Sequence, residues 1–200
     1  MAKGGLIFTK QEMTSLWLDD KLVPVTILKL LPQEIIRYKS VDKDGYQAAV
    51  VGSGKKVLNK EKGIKVKYQF VTEFTIDDEF VAANPVGSDL DSSLLEGVKT
   101  VKLQGVSKGK GYQGVVRRHG FAGGPETHGS KFHRLPGSIG NRKPRRVNRG
   151  HPLPGHMGTE TITLRGVGVV ETVKVDDKQL LIVKGSIPGA YNGIIKVEIA

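Results

Sequence analysis

Apolar and polar residues alternate over several short stretches of the chain, and those stretches are rich in Val, Ile and Thr. They cover residues 23–31 (VPVTILKLL), 46–51, 68–76, 98–103, Thr161–Val175, 180–184 and Ile194–Ile199. A period of two with β-branched enrichment predicts strands with one face buried. Turn signals at Asp19-Asp20, Asp44-Gly45, Asp176-Asp177 and Asn192-Gly193 separate them, favouring antiparallel hairpins over parallel strands with crossover helices. The fold expected is mainly β, a closed or nearly closed barrel. Helical periodicity is weak, with one segment around residues 55–62 and a turn at 89–95.

The alternation stops at Ala122. From there to Gly158 the only apolar residues are Ala122, Phe132, Leu135, Ile139, Val147, Leu153 and Met157, with no sustained helical or strand period. Such a run cannot bury itself, and inside a compact domain it reads as a functional loop or a disordered linker. With about 18 residues running out and as many returning, at roughly 3.3 Å each, its tip would reach up to about 60 Å from the body.

Charge sharpens this picture. The 200 residues, 38% apolar, suffice for one core with a small inserted subdomain. The net charge is +11 and the pI near 9.8, which points to a polyanionic partner. Residues 108–158 hold 11 Lys and Arg against the single acid Glu126, whereas the other 149 residues hold 20 against 19. The same segment contains all five His, 12 of the 26 Gly and five of the nine Pro. A solvated face mixes signs; an acid-free cationic run repels itself until a polyanion relieves it. Cysteine is absent, which excludes disulfides and thiolate zinc sites and fits a reducing compartment. No window approaches the roughly 18 apolar residues of a membrane span, and MAKGGLIFTK shows no cleavable leader, so a soluble, cytoplasmic chain with no membrane partner is expected.

The candidate RNA-binding residues follow from side-chain chemistry. Lys108, Lys110, Arg117, Arg118, Lys131, Arg134, Arg142, Lys143, Arg145, Arg146 and Arg149 supply cations for phosphates, with Arg capable of bidentate contacts. His119, His128, His133, His151 and His156 meet phosphate or stack on bases, and Tyr112, with Phe121 and Phe132, offers stacking surfaces. Irregular insertions suit folded RNA better than duplex grooves. Competing chemistry is weaker. The run Gly109-Lys110-Gly111-Tyr112-Gln113-Gly114-Val115-Val116 matches the dinucleotide and kinase glycine-rich loops in letters only. The acid needed about 20 residues on is replaced by Arg134, and the kinase elements are missing. His128 with His133 and His151 with His156 would make a poor cation cage without carboxylate or thiolate support. No Ser, His and Asp set suggests a triad. The reading is a non-enzymatic protein with no cofactor, no metal and no small-molecule substrate.

GVSKGKGYQGVVRRHGFAGGPETHGS (105–130), HRLPGSIG (133–140) and GHMGTETITLRGVGVVETVKVDDKQLLIVKGSIPG (155–189) closely resemble the ribosomal protein L-three family, with fainter likeness in VPVTILKLLP and DGYQAAVVG. The short length resembles the bacterial or organellar branch. The resemblance implies a translation-protein-type β-barrel made from both ends of the chain, with a small inserted α+β segment and a long irregular basic loop. The expected map is 1–54 as the first part of the barrel, 55–97 as the insert, 98–107 and 159–200 as the rest of the barrel, and 108–158 as the basic extension. The resemblance further implies binding to large-subunit rRNA near its 3′ end, early assembly, and a loop directed toward the peptidyl transferase centre. Ribosomal proteins L-fourteen and L-nineteen are the implied neighbours, in a cytoplasmic or organellar ribosome. Three departures stand out. Glu12 replaces a usual Gly, so the first turn should be built differently; Lys102 replaces a usual acid, which should add charge at the loop base; Asn141, Arg142 and Lys143 fill the interval where some bacterial relatives methylate a Gln. The alternatives are an architectural or assembly RNA-binding protein outside the ribosome, and an enzyme on a translation-type barrel, for which no acid, base or nucleophile is assigned.

Overall fold

The computed structural model describes residues 4–56, 67–143, 146–175 and 178–199. In chain order the strands are β1 (Gly5–Leu18), β2 (Lys21–Leu30), β3 (Gln33–Lys39), β4 (Ala48–Lys56), β5 (Lys67–Thr75), β6 (Thr100–Val106), β7 (Gly111–Gln113), β8 (Gly155–Met157), β9 (Thr161–Val175), β10 (Lys178–Lys184) and β11 (Ile194–Ile199). Three short helices, α1 (Val41–Asp44), α2 (Asp78–Ala83) and α3 (Val115–His119), and a 3-10 turn at Ser92–Leu95 complete the set among the described residues.

Six strands from both ends of the chain close a barrel in the order β1-β11-β6-β9-β10-β2, every neighbouring pair antiparallel. The fold is therefore mainly β with a closed barrel. Closure leaves no barrel edge exposed to another chain. Alternation in β6 (Val101, Leu103 and Gly105 inward) and β11 (Ile195 and Val197 inward) builds its interior. Asp19 and Asp20, with φ of 47° and 59°, form the two-residue turn between β1 and β2, and Asn192 (φ 57°) lies just before β11. Gly45 (φ 79°) ends α1 in the left-handed region, which a glycine enters without steric cost. The expected turn at Asp176-Asp177 lies outside the described residues, as does most of the helix expected over 55–62; Lys55 and Lys56 belong to β4.

Strands β1 and β4 escape the alternation rule, each with a run of consecutive buried residues. In β1, Gly5, Leu6, Ile7 and Phe8 are buried in succession. One face lines the barrel and the other meets the inserted sheet, where a Cβ on Gly5 would run into the Phe74 ring. A strand covered on both faces shows a continuous apolar run instead of a period of two. Further along β1 the pairing with β2 slips by one residue between Lys10 and Met13, a β-bulge. Glu12 sits inside this bulge without positive φ, so the segment is a bulged strand rather than the differently built turn that Glu12 implied.

The second sheet, β3-β4-β5, begins at Gln33, well before residue 55 where the insert was expected to start. Its Val, Ile and Ala positions resemble barrel strands in composition, which is why pattern alone did not separate them. Ile35, Ala49, Val51 and Phe74 join Leu6, Phe8, Leu28 and Leu181 in one core. Gln33, 3% exposed, welds the sheet to β1: its Oε1 accepts the Ile7 N–H at 2.8 Å and its Nε2 donates to the Ile7 carbonyl at 3.4 Å. On the outer face, the Lys55 ammonium donates to Glu34 at 2.8 Å and the Tyr68 hydroxyl donates to the same carboxylate, and together they hold Glu34 below the usual carboxylate range. Lys39, at 2.7 Å, does the same for Glu73 with help from Tyr46.

Lys102 is ion-paired, although it shares its carboxylate with a second lysine. It stands directly opposite Glu198 in the β6–β11 ladder and donates to it at 2.5 Å, while Lys196 reaches the other carboxylate oxygen at 2.7 Å. Burial alone would raise Glu198, but the hydrogen bonds from Lys102 and Lys196 outweigh it and hold the carboxyl below its ordinary value of 4.5. A group depressed on folding stabilises the fold above its unfolded value, and that stabilisation fades as acid protonates it. Glu198→Gln should therefore destabilise the protein by about 0.5–1 kcal/mol at neutral pH, in the range of partly exposed pairs. The difference should shrink toward zero by about pH 3, below the ordinary glutamate value. Denaturant unfolding of both proteins at the two pH values checks this; an equal gap at both would refute it.

Candidate nucleic-acid interface

Residues Ser107–Glu160 form a compact unit of their own, apart from Met1–Val106 with Thr161–Ala200. Local backbone chemistry explains how a chain so poor in apolar residues holds a shape. At its base the Ser107 N–H donates to the Glu160 carbonyl at 2.9 Å, and the Glu160 N–H donates to Ser107 Oγ at 3.1 Å. Next, Lys110 N–H donates to Met157 O at 2.9 Å, and β7 pairs with β8: Gly111 with Met157, Tyr112 with His156, Gln113 with Gly155. The segments flanking this pair run so close together that a Cβ on Gly158, itself at φ 81°, would collide with the Lys108 carbonyl. The stretch from Ala122 to Gly158 thus contains β8, contrary to the expectation of no strand; a three-residue strand whose partner lies 44 residues away leaves no local signal.

α3 follows at once, packing Val115, which is fully buried, and ending at Gly120 in the left-handed conformation with its N–H on the Val116 carbonyl at 3.0 Å. Its last turn grips the returning chain. Arg118 Nη1 donates to the Leu153 carbonyl at 2.7 Å, and His119 Nε2 lies 3.0 Å from the same oxygen. Gly155 leaves room for that guanidinium. Further out, Gly124 N–H donates to the His133 carbonyl at 2.8 Å, and a side chain at Gly124 would strike the Phe132 carbonyl and ring. His156 Nε2 lies 2.8 Å from Thr159 Oγ1, and Thr159 takes a φ of 55°, rare for a β-branched residue.

The structure sorts the sequence-predicted residues into two kinds. Arg118, His119 and His156 contact other parts of the unit, as does half-buried His151, whose N–H bonds the Asn148 carbonyl at 3.3 Å. Lys108, Lys110, Arg117, Lys131, Arg134, Arg142, Lys143, Arg146 and Arg149 stand exposed, as do His128 and His133, and Tyr112 is 75% exposed. Arg145 lies outside the described residues. Among the described residues, no cation of this unit pairs with a carboxylate. The side chains are not gathered into one pocket: they occur at the base, on α3, beside residues 131–134 and along the tip, a distribution suited to a long ligand. Among the described residues no three His, Asp or Glu converge as metal ligands do. The shaping glycines Gly124 and Gly158, and Thr159, were not singled out from sequence, because a close backbone approach has no compositional signature in a segment where 12 glycines occur.

A family model described as Ribosomal protein L3 matches residues 88–179. Over nearly its whole length the chain is similar to proteins called Large ribosomal subunit protein uL3. That of Oceanobacillus iheyensis is 39% identical over 98% of this chain and 97% of the relative. Those of Heliobacterium modesticaldum (37% identical, 99% and 97% covered) and Deinococcus radiodurans (39%, 98% and 94%) are comparable.

Proposed function

Because the chain belongs to the ribosomal protein L3 family, and so is a structural constituent of the large ribosomal subunit, we propose that residues 108–158 are its rRNA-binding extension. It is not an enzyme; its bacterial relatives are ribosomal, and it sits in the cytoplasmic ribosome. The observation that carries the proposal is the set of ten described Lys and Arg side chains in this segment, all exposed and none paired with a carboxylate among the described residues. In water such a set is strained by its own repulsion, and phosphates relieve it. Arg118 and His119 hold the loop closed through Leu153, so phosphate contact falls mainly to Lys108, Lys110, Arg117, Lys131, Arg134 and the tip cations. Tyr112 and the exposed histidines stack on or hydrogen-bond unpaired bases.

The segment binds large-subunit rRNA near its 3′ end, takes part early in subunit assembly, and points residues 138–149 toward the peptidyl transferase centre, with ribosomal proteins L-fourteen and L-nineteen as neighbours. Guanidinium and ammonium groups at the tip bring phosphates together but do not exchange protons readily, so they tune catalytic RNA without performing chemistry. The chain has no cysteine, so Asn141→Cys gives a single attachment point for an iron chelate. In assembled subunits, hydroxyl radicals generated there should cut rRNA of the peptidyl transferase centre. Cuts confined to distant rRNA, or none, would overturn the placement of the tip.

A further inference from the structure

The hairpin of β1 and β2 is longer than the barrel needs. β1 pairs with β11 only over Gly5 to Thr9, and β2 pairs with β10 only over Val25 to Lys29. Among the described residues, 16–18 and 21–23 pair only with each other, so beyond Ser15 and Pro24 the hairpin continues as a short two-stranded arm. An isolated ribbon of this kind is marginal in water. One face of it carries Ser15 and Trp17 on β1, opposite Pro24 and Leu22 on β2, with Met13 at the root. All five are exposed, Trp17 by 73%, Leu22 by 57% and Met13 by 47%. Trp17 is the only tryptophan of the chain. A directly paired Trp and Leu on a protruding ribbon is an anchor of the kind that dominates protein interfaces.

Charge identifies the partner. Between residues 11 and 24 the charged side chains are Glu12, Asp19 and Asp20 against Lys21 alone, a local net of −2 in a chain of +11. Both acids occupy the turn in the left-handed region, where Asn-Gly is most comfortable, so the turn geometry itself does not call for two negative charges. A phosphate backbone would be repelled at this end. We propose that the face of Trp17, Leu22 and Pro24 docks on a basic protein of the large subunit, in an apolar pocket whose rim of Lys or Arg meets Asp19 and Asp20. The inference rests on membership of the subunit and not on what residues 108–158 bind.

Ser15→Cys places the protein's single thiol beside Trp17 with little change in size. In subunits assembled with this variant, a maleimide should react at least tenfold more slowly than with the free protein. A benzophenone carried on the same thiol should give an adduct that survives ribonuclease, is digested by protease, and maps to one ribosomal protein at a site rich in Lys or Arg. Adding Asp19→Asn and Asp20→Gly removes both charges while improving the turn, and should restore at least threefold of the thiol's reactivity in the subunit. An adduct to rRNA, a thiol as reactive in the subunit as free, or protection unchanged by loss of the charges would each overturn the proposal. Exclusion of a folded variant from subunits that accept the unmodified protein would support the proposal, since only this face is altered; failure of the unmodified protein to enter would instead sink the ribosomal reading.

Discussion

Replacing Ser107–Glu160 by Asn-Gly should leave a folded barrel that no longer binds large-subunit rRNA. Val106 and Thr161 are directly opposed at the end of the β6–β9 ladder, so excision of the 54 residues between them leaves two antiparallel strand ends in register for a two-residue turn. The main core, from Leu6 to Val197, draws no residue from the excised segment. Closing a two-residue turn costs less chain entropy than closing a long loop, by roughly 3 kcal/mol at most on length scaling, which works in favour of the shortened protein. β-type circular dichroism and a single cooperative melt are therefore expected. Binding is expected to fall by about a thousandfold or more at moderate salt, because the remainder carries 20 Lys and Arg against 18 acids. Loss of the melting transition would show that the barrel depends on the segment, and rRNA affinity within tenfold of the intact protein would show that binding resides elsewhere.

The affinity of the intact protein for rRNA should collapse with salt. If six to ten of the exposed cations neutralise phosphates, raising monovalent salt from about 50 to 200 mM should weaken binding roughly 10³ to 10⁵ fold, by analogy with duplex DNA. Every phosphate left without its cation should lower the slope of log affinity against log salt by roughly 0.7–0.9. Changing Arg142, Lys143, Arg146 and Arg149 together to Ala should accordingly flatten the slope by about three, as measured by filter binding over a salt series. The variants lie where no intra-protein ion pair is broken among the described residues, so thermal stability should stay within about 1 kcal/mol. A slope unaffected by removing four cations would mean that they face solvent in the complex.

The seven stretches expected as strands all carry strand in the structure, while β1 and β3 were missed for opposite reasons. β1 is buried on both faces where Gly5 meets Phe74, which erases alternation, and β3 is a short run whose buried Gln33 looks polar in sequence but substitutes for strand backbone against Ile7. Lys102 illustrates the same limit for charge. Read locally it is a free cation beside the basic segment; in the barrel it is paired with Glu198, on a strand 96 residues away, a carboxylate it shares with Lys196.

Composition and local pattern were enough to establish an antiparallel β protein, to confine nearly all of the net charge to one segment, and to point to RNA, because strand propensity and charge are properties of each residue and its near neighbours. The family was legible for a related reason: its strings of Gly, His and Arg are contiguous. Closure of the barrel, the start of the insert at Gln33, the apolar arm ending in Asp19 and Asp20, and the division of the basic residues into those that shape the loop and those left for a ligand were decided by tertiary structure. Arg118 and Arg117 are adjacent and chemically identical, yet the first is held by the Leu153 carbonyl 35 residues away while the second is exposed with only a long contact to Gln113 at 3.4 Å. Hydrogen bonds between distant segments depend on where the backbone returns, and no local pattern of residues encodes that return.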